Sequence, residues 1–109
     1  MKITQTPSDT TLTLVLDGEL DASSSVLLDT ELSNPAVLKY QKVLIDCQRL
    51  NYISSAGLGV FISHLQRFQD ANVKLVFFNM QEKVHNVFEI LGLDSLMTIV
   101  PSETEAAAL

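Results

Sequence analysis

Between Val43 and Asp70 the hydrophobic period changes once, and that change limits the chain to few architectures. Val43, Leu44 and Ile45 form an unbroken apolar run bounded by Gln48 and Arg49, the pattern of a strand covered on both faces. A short turn, R-L-N-Y-I, is expected next. Then Leu58, Phe61, Ile62, Leu65 and Phe68 recur at the spacing of one helix face. Ser54 and Ser55 stand where that helix begins, so one of them is its N-cap. A helix opening just after a strand leaves its first N–H groups unpaired and its positive dipole end exposed. A serine hydroxyl there is accessible, and an anion attached to it would meet backbone donors. Gly57 and Gly59 fall in the first turn, where glycine costs up to about 1 kcal/mol relative to alanine. Either a ligand or partner approaches closely there, or the glycines ease packing against a neighbouring loop.

The remaining chain alternates strands and helices. Ile3 to Pro7 reads as a short edge strand ended by the proline, and Ser8-Asp9 as a turn. Leu12, Leu14 and Leu16 share one face of a second strand over Thr11 to Asp17, paired with the first as a hairpin. Asp21 caps a helix running to about Ser33, with Val26, Leu27 and Leu32 turned inward, and Pro35 stops it. Val73 to Phe78 is a further strand. Glu82 to Leu91 is a helix with Val84, Val87, Phe88 and Leu91 on one face and Gly92 at its C′ position. Met97 to Val100 is a last short strand, and Ser102 with Glu105 opens a brief terminal helix. The order β-β-α-β-α-β-α-β-α implies right-handed crossovers and a largely parallel sheet with an antiparallel hairpin at its start.

Bulk properties narrow the function. A chain of 109 residues, 47% hydrophobic, is one domain over 1–109 with a single core. A net charge of −6 without a basic cluster argues against nucleic-acid binding. Cys47 is the only cysteine, so no internal disulfide or cysteine zinc cluster can form, and it is expected as a buried small hydrophobe. No apolar run approaches membrane-spanning length and the first residues lack a signal-peptide core, so a cytoplasmic protein without membrane insertion is expected. For catalysis, Ser55 lacks the G-x-S-x-G context of a nucleophile elbow, and G-L-G is not a phosphate-binding loop. His64 and His85 are the only candidate bases; both are expected as surface residues, His64 on the helix face opposite Leu58, Phe61 and Leu65. Asp17, Glu19, Asp21 and Asp46 could converge near Ser55 but are expected as solvated strand-end charges, with no metal and no cofactor. A non-enzymatic binding module is the expectation.

The run D-C-Q-R-L-N-Y-I-S-S-A-G-L-G-V resembles the signature of the STAS domain family, named for sulfate transporters and anti-sigma factor antagonists. That family carries a strand ending in Asp, a turn, then Asp-Ser-Ser/Thr/Ala-Gly-Leu/Val opening a helix. Asp46 matches the strand-closing Asp, and Ser55, Ala56, Gly57 and Leu58 match the helix opening, with Ser54 where the antagonists most often have Asp. G-E-L-D, ending at Asp21, matches a second family pattern, Gly-x-Leu/Ile-Asp, in a loop that lies beside the serine in that fold.

The resemblance spans the whole chain. It implies a small mixed sheet with helices mainly on one side, and a phosphorylation site at Ser55, with Ser54 as the alternative. It also implies a partner surface drawn from Asp21, Ser54, Ala56, Gly57 and Val60. The function implied is that of an anti-sigma factor antagonist: unphosphorylated, it binds an anti-sigma factor that is also a GHKL-type serine kinase, and phosphorylation switches it off. A serine phosphatase would reverse the switch. The alternative within the family is a non-catalytic subunit of a transporter ATPase complex or signalling scaffold.

Overall fold

A computed structural model describes all 109 residues. Five strands, β1 (Lys2–Ser8), β2 (Thr11–Leu20), β3 (Lys42–Ile53), β4 (Lys74–Phe78) and β5 (Thr98–Val100), lie in one sheet in sequence order. β1 is antiparallel to β2 and every later pair is parallel. When successive parallel strands are neighbours, right-handed crossovers put every connecting helix on the same face. Helices α1 (Ala22–Ser33), α2 (Ser55–Asp70) and α3 (Glu82–Ile90) accordingly share one core with the sheet. Leu12, Leu14 and Leu16, then Val43, Ile45 and Cys47, then Leu75 and Phe77 point into it. Phe77 meets Phe61 edge-on at 4.8 Å and Phe88 at 5.8 Å, tying α2 and α3 to the central strands. The other face buries only Leu44, Val76 and Phe78 beneath Ala106 of α4 (Glu103–Ala108), so Val43, Leu44 and Ile45 are covered on both sides as expected.

Four expectations needed correction. The R-L-N-Y-I segment is not a turn: β3 runs on to Ile53 because β2 continues beside it as far as Leu20. Two register shifts in that stretch let Cys47, Leu50 and Ile53, three residues apart, all face the core, which conceals the usual alternation. On α1 the inward residues are Ser25, Leu28 and Leu32, whereas Val26 is 67% exposed and Leu27 42%. The buried face of α2 comprises Gly57, Leu58, Phe61, His64 and Phe68, rotated towards α1, so Ile62 lies outside and His64 inside. On α3, Leu91 falls just beyond the helix and is exposed, while Val84 and Phe88 hold it to the core and Gly92 adopts φ +69° as the chain turns away. Smaller differences concern the first hairpin. Pro7 is paired within β1, tolerated because β1 is an edge, and the reversal falls at Asp9-Thr10 with Asp9 at φ +32°.

Candidate functional site

The parallel register of β2 and β3 places Leu20 beside Ile53, and the Ser54 N–H donates to the Leu20 carbonyl at 2.9 Å. The starts of α1 and α2 are therefore neighbours at one end of the sheet. Ser54 has extended backbone angles, and its hydroxyl accepts the Gly57 N–H at 3.1 Å: it is the N-cap. Ser55 is the first helical residue, exposed, with its side chain in solvent beyond the unpaired N–H groups of the first turn. The two serines thus divide the work. Ser54 holds the helix start, and Ser55 presents a free hydroxyl at its positive end.

Asp21 holds the start of α1 in the same way. Its carboxylate accepts the Ser24 N–H at 2.9 Å, the Ser24 hydroxyl at 2.9 Å and the Ser23 hydroxyl at 3.0 Å, while its own N–H donates back to Ser24 Oγ. The Ser24 backbone bond, seconded by the two hydroxyls, lowers its pKa below the usual carboxylate value. A fixed negative charge is therefore held on the element next to Ser55.

Gly57 is buried, and a Cβ built on it would lie 2.6 Å from Leu20 Cγ. Its role is to seat α2 against Leu20, so it leaves the outward partner surface on which it was expected. Gly59 has open space around it. Ala56 is exposed, and Val60 is half-buried with part of its side chain against the core.

Of the four acidic residues that could have converged near Ser55, only Asp21 and Glu19 lie at this end, by the β2–β3 register. Asp46 pairs in register with Val15 and Phe78, seven residues before Ile53; along an extended strand that is roughly 20 Å away. Its carboxylate accepts the Gln48 N–H at 3.0 Å. Asp17 meets Arg49 at 3.6 Å, both exposed. No three His, Cys, Asp or Glu side chains gather to hold a metal. Cys47 is buried, and desolvation, aided by the neighbouring Asp46 charge, pushes its thiol pKa far up, which keeps it an unreactive core residue.

His64 is buried rather than solvated. Its Nε2 lies 2.8 Å from Asp29 Oδ1, and its Nδ1 has no partner. Asp29 and His64 join α1 to α2, and no serine lies among their hydrogen-bond partners as an acid–His–Ser relay would need. His85 is half-exposed and pairs with Glu89 at 3.3 Å within α3. Exposed apolar side chains that sequence reasoning missed are Tyr52 on the last stretch of β3, Val26 and Leu27 on α1, and Ile62 on α2. The second Leu pair on α1, Leu28 with Leu32 at i,i+4, was the available signal that Val26 and Leu27 point outward.

A mixed sheet with α1, α2 and α3 on one face, a free serine hydroxyl at the α2 start and an adjacent fixed carboxylate define a small α/β domain of the STAS type. The family model described as the STAS domain matches residues 1–106, and the chain belongs to that family. Among its relatives is BtrV of Bordetella bronchiseptica, a candidate anti-sigma factor antagonist. It is 32% identical over 108 residues, covering 99% of this chain and 93% of BtrV. The anti-sigma-B factor antagonist of Listeria monocytogenes is 30% identical over 88 residues, 81% of this chain and 77% of the relative. In fold, the chain resembles the anti-sigma factor antagonist SpoIIAA in its unphosphorylated form, with a TM-score of 0.75 at 16% identity over 98% of this chain and 94% of that one. The phosphorylated form of SpoIIAA, the Bacillus cell fate determinant, has also been solved and gives a TM-score of 0.73 at 19% identity, covering 98% and 97%.

Proposed function

We propose that this domain is an anti-sigma factor antagonist switched by phosphorylation at Ser55. Unmodified, it binds an anti-sigma factor and so frees a sigma factor. Modified by that partner, acting as a GHKL-type serine kinase, it releases it, and a serine phosphatase restores the binding form. The observation that carries the reading is the division of labour at the α2 start: the Ser54 hydroxyl is engaged in capping and the Ser55 hydroxyl is not. The relatives BtrV and the Listeria antagonist, and the existence of SpoIIAA in both phosphorylation states, support it.

The physical switch is electrostatic. A phosphate adds about −1.5 to −2 charges at pH 7. At the first residue of α2 that charge meets the positive helix end, so the fold tolerates it. Across an interface it would have to be desolvated next to Asp21, whose carboxylate is held ionised by Ser24. Exposed Tyr52, Val26 and Ile62, with Ala56 and Val60, supply apolar contact around the serine, and their burial drives binding only while Ser55 is uncharged.

Site-resolved mass spectrometry of the protein from growing and stressed host cells tests the proposal. A single phosphate on Ser55 whose occupancy changes with condition, absent from Ser55→Ala and retained in Ser54→Ala, is the expected result. A protein unmodified in every condition sinks it and leaves the role of a non-catalytic subunit of a larger complex.

A further inference from the structure

Of the two glycines at the start of α2, the fold requires only one. A Cβ on Gly57 would collide with Leu20, whereas one on Gly59 would meet no heavy atom within 4 Å. Gly59 is exposed and its φ is not positive, so neither packing nor backbone geometry calls for glycine there. Glycine is among the poorest helix formers. The reason for it at this position lies outside the fold.

Helix geometry shows what its missing side chain leaves open. Cα–Cβ bonds tilt towards the helix N-terminus, so a helical side chain covers the surface one turn before its own Cα. The surface of Ser55 is therefore overhung from Leu58 and Gly59, three and four residues on. Leu58 is turned into the core and is only 4% exposed. Gly59, roughly 6 Å along the axis, has nothing to place there. Ala56, the exposed neighbour, carries only a methyl group. Along that face the first exposed bulky side chain is Ile62, ~10 Å from Ser55.

We propose that Gly59 keeps the Ser55 hydroxyl accessible to a protein-sized active site, and so determines whether Ser55 can be modified. The inference rests on the reading of Ser55 as the phosphorylation site. In the transfer, Ser55 Oγ bonds to the γ-phosphorus of the kinase's nucleoside triphosphate as the P–O bond to the β-phosphate breaks. The diphosphate leaves, and the hydroxyl proton passes to a base of the kinase. Entering and leaving oxygens lie roughly in line, so the nucleotide and the wall that holds it must occupy the space directly over Ser55. A serine phosphatase needs the same space. A long side chain at position 59 would fill it without disturbing the core.

Two measurements test the proposal, and the first needs no partner. In Ser55→Cys the thiol stands at a helix start, where thiols ionise readily. Cys47, buried and with its thiol pKa pushed far up, stays silent. Adding Gly59→Leu should slow the reaction with N-phenylmaleimide at least about tenfold, the scale of a spoiled approach geometry, and that with the smaller iodoacetamide less. Ser63→Leu, the same bulk on an exposed position one turn further along, should leave both rates unchanged. The second measurement is Ser55 phosphate occupancy in protein from host cells. Gly59→Leu should lower it at least about tenfold, with an unfolding midpoint equal to or above the wild type's because leucine is the better helix former. Equal thiol rates with and without Gly59→Leu overturn the proposal, and so does full Ser55 occupancy in Gly59→Leu. A slowed thiol in a protein that carries no phosphate in any condition upholds the access role and overturns the kinase reading of Ser55 instead.

Discussion

Gly57 and Gly59 stand two residues apart in the first turn of α2 and answer different demands. A Cβ at position 57 would meet Leu20 Cγ at 2.6 Å and Cδ2 at 2.7 Å, with Ile53 Cγ1 at 3.3 Å. Leu20 is fully buried and has nowhere to retreat. Gly57→Ala should therefore destabilise the fold by roughly 1–3 kcal/mol in spite of alanine's better helix propensity. Gly59→Ala meets open space and should stabilise it by up to about 1 kcal/mol. Urea unfolding of the two variants decides the matter; a stable Gly57→Ala would mean that Leu20 does not set the α2 seat. From spacing alone the two glycines are equivalent, because what separates them is a side chain on β2 some 37 positions earlier. Asp21 gives a second test at this scale. Its folded pKa is lowered from 3.8, first by the Ser24 N–H. A depressed carboxylate stabilises the fold above its unfolded pKa, and that contribution is lost as pH falls through the folded one. Asn remains a good cap, so Asp21→Asn isolates the charge. Its stability deficit against the wild type should be present at neutral pH and should close as pH falls below 3.8. A deficit that stays constant down to pH 2 would show that the Ser24 bonds do not depend on ionisation.

At the scale of elements, α1 and α2 show why the sequence disclosed the elements more fully than their faces. The period of Leu58, Phe61 and Phe68 located α2, but rotation about its axis is set by α1, which packs on one flank. Asp29 draws in His64 at 2.8 Å, and Arg67 donates to the Leu32 and Ser33 carbonyls at 2.6 and 3.2 Å, where α1 ends without side-chain partners of its own. These are side-chain contacts between residues some 35 positions apart, invisible to any local period. On α1, Val26, Leu27 and Leu28 are adjacent, and the local i,i+4 pairing with Leu32 is what singles out Leu28 for the buried face. Ser55 was legible because cap chemistry is local. The distance of Asp46 from it was not, because the register shifts that let β3 run on belong to its pairing with β2. The corrected α1 face makes a clear prediction. Leu28 is fully buried and Val26 is 67% exposed. Leu28→Ala should cost about 2–5 kcal/mol and Val26→Ala less than about 0.5 kcal/mol in chemical denaturation. If Val26 belongs to the partner surface, Val26→Ala should also weaken binding without that loss of stability.

For the whole molecule, the buried cores and the exposed Ser55 occupy different regions. The main core of 22 buried residues lies between the sheet and α1, α2 and α3, with a smaller cluster beneath α4. Ser55 projects from the rim of that arrangement, on the exposed first turn of α2, and contributes no side chain to either cluster. A net charge of −6 disfavours additional negative charge on the molecule in general. At Ser55 the helix end offsets this locally, by about 0.3–1 kcal/mol for an exposed anion. Ser55→Asp should therefore unfold at the same urea concentration as the wild type or slightly higher. Its affinity for an anti-sigma factor should nevertheless fall, since the introduced carboxylate must be desolvated beside Asp21 in the complex. Equilibrium unfolding and a binding titration on the same preparation separate the two effects. A Ser55→Asp protein that loses stability and binding together would place the serine in the structural framework rather than on a switch. One that keeps both would remove charge exclusion as the mechanism, and phosphorylation would then have to act through the shape of the interface.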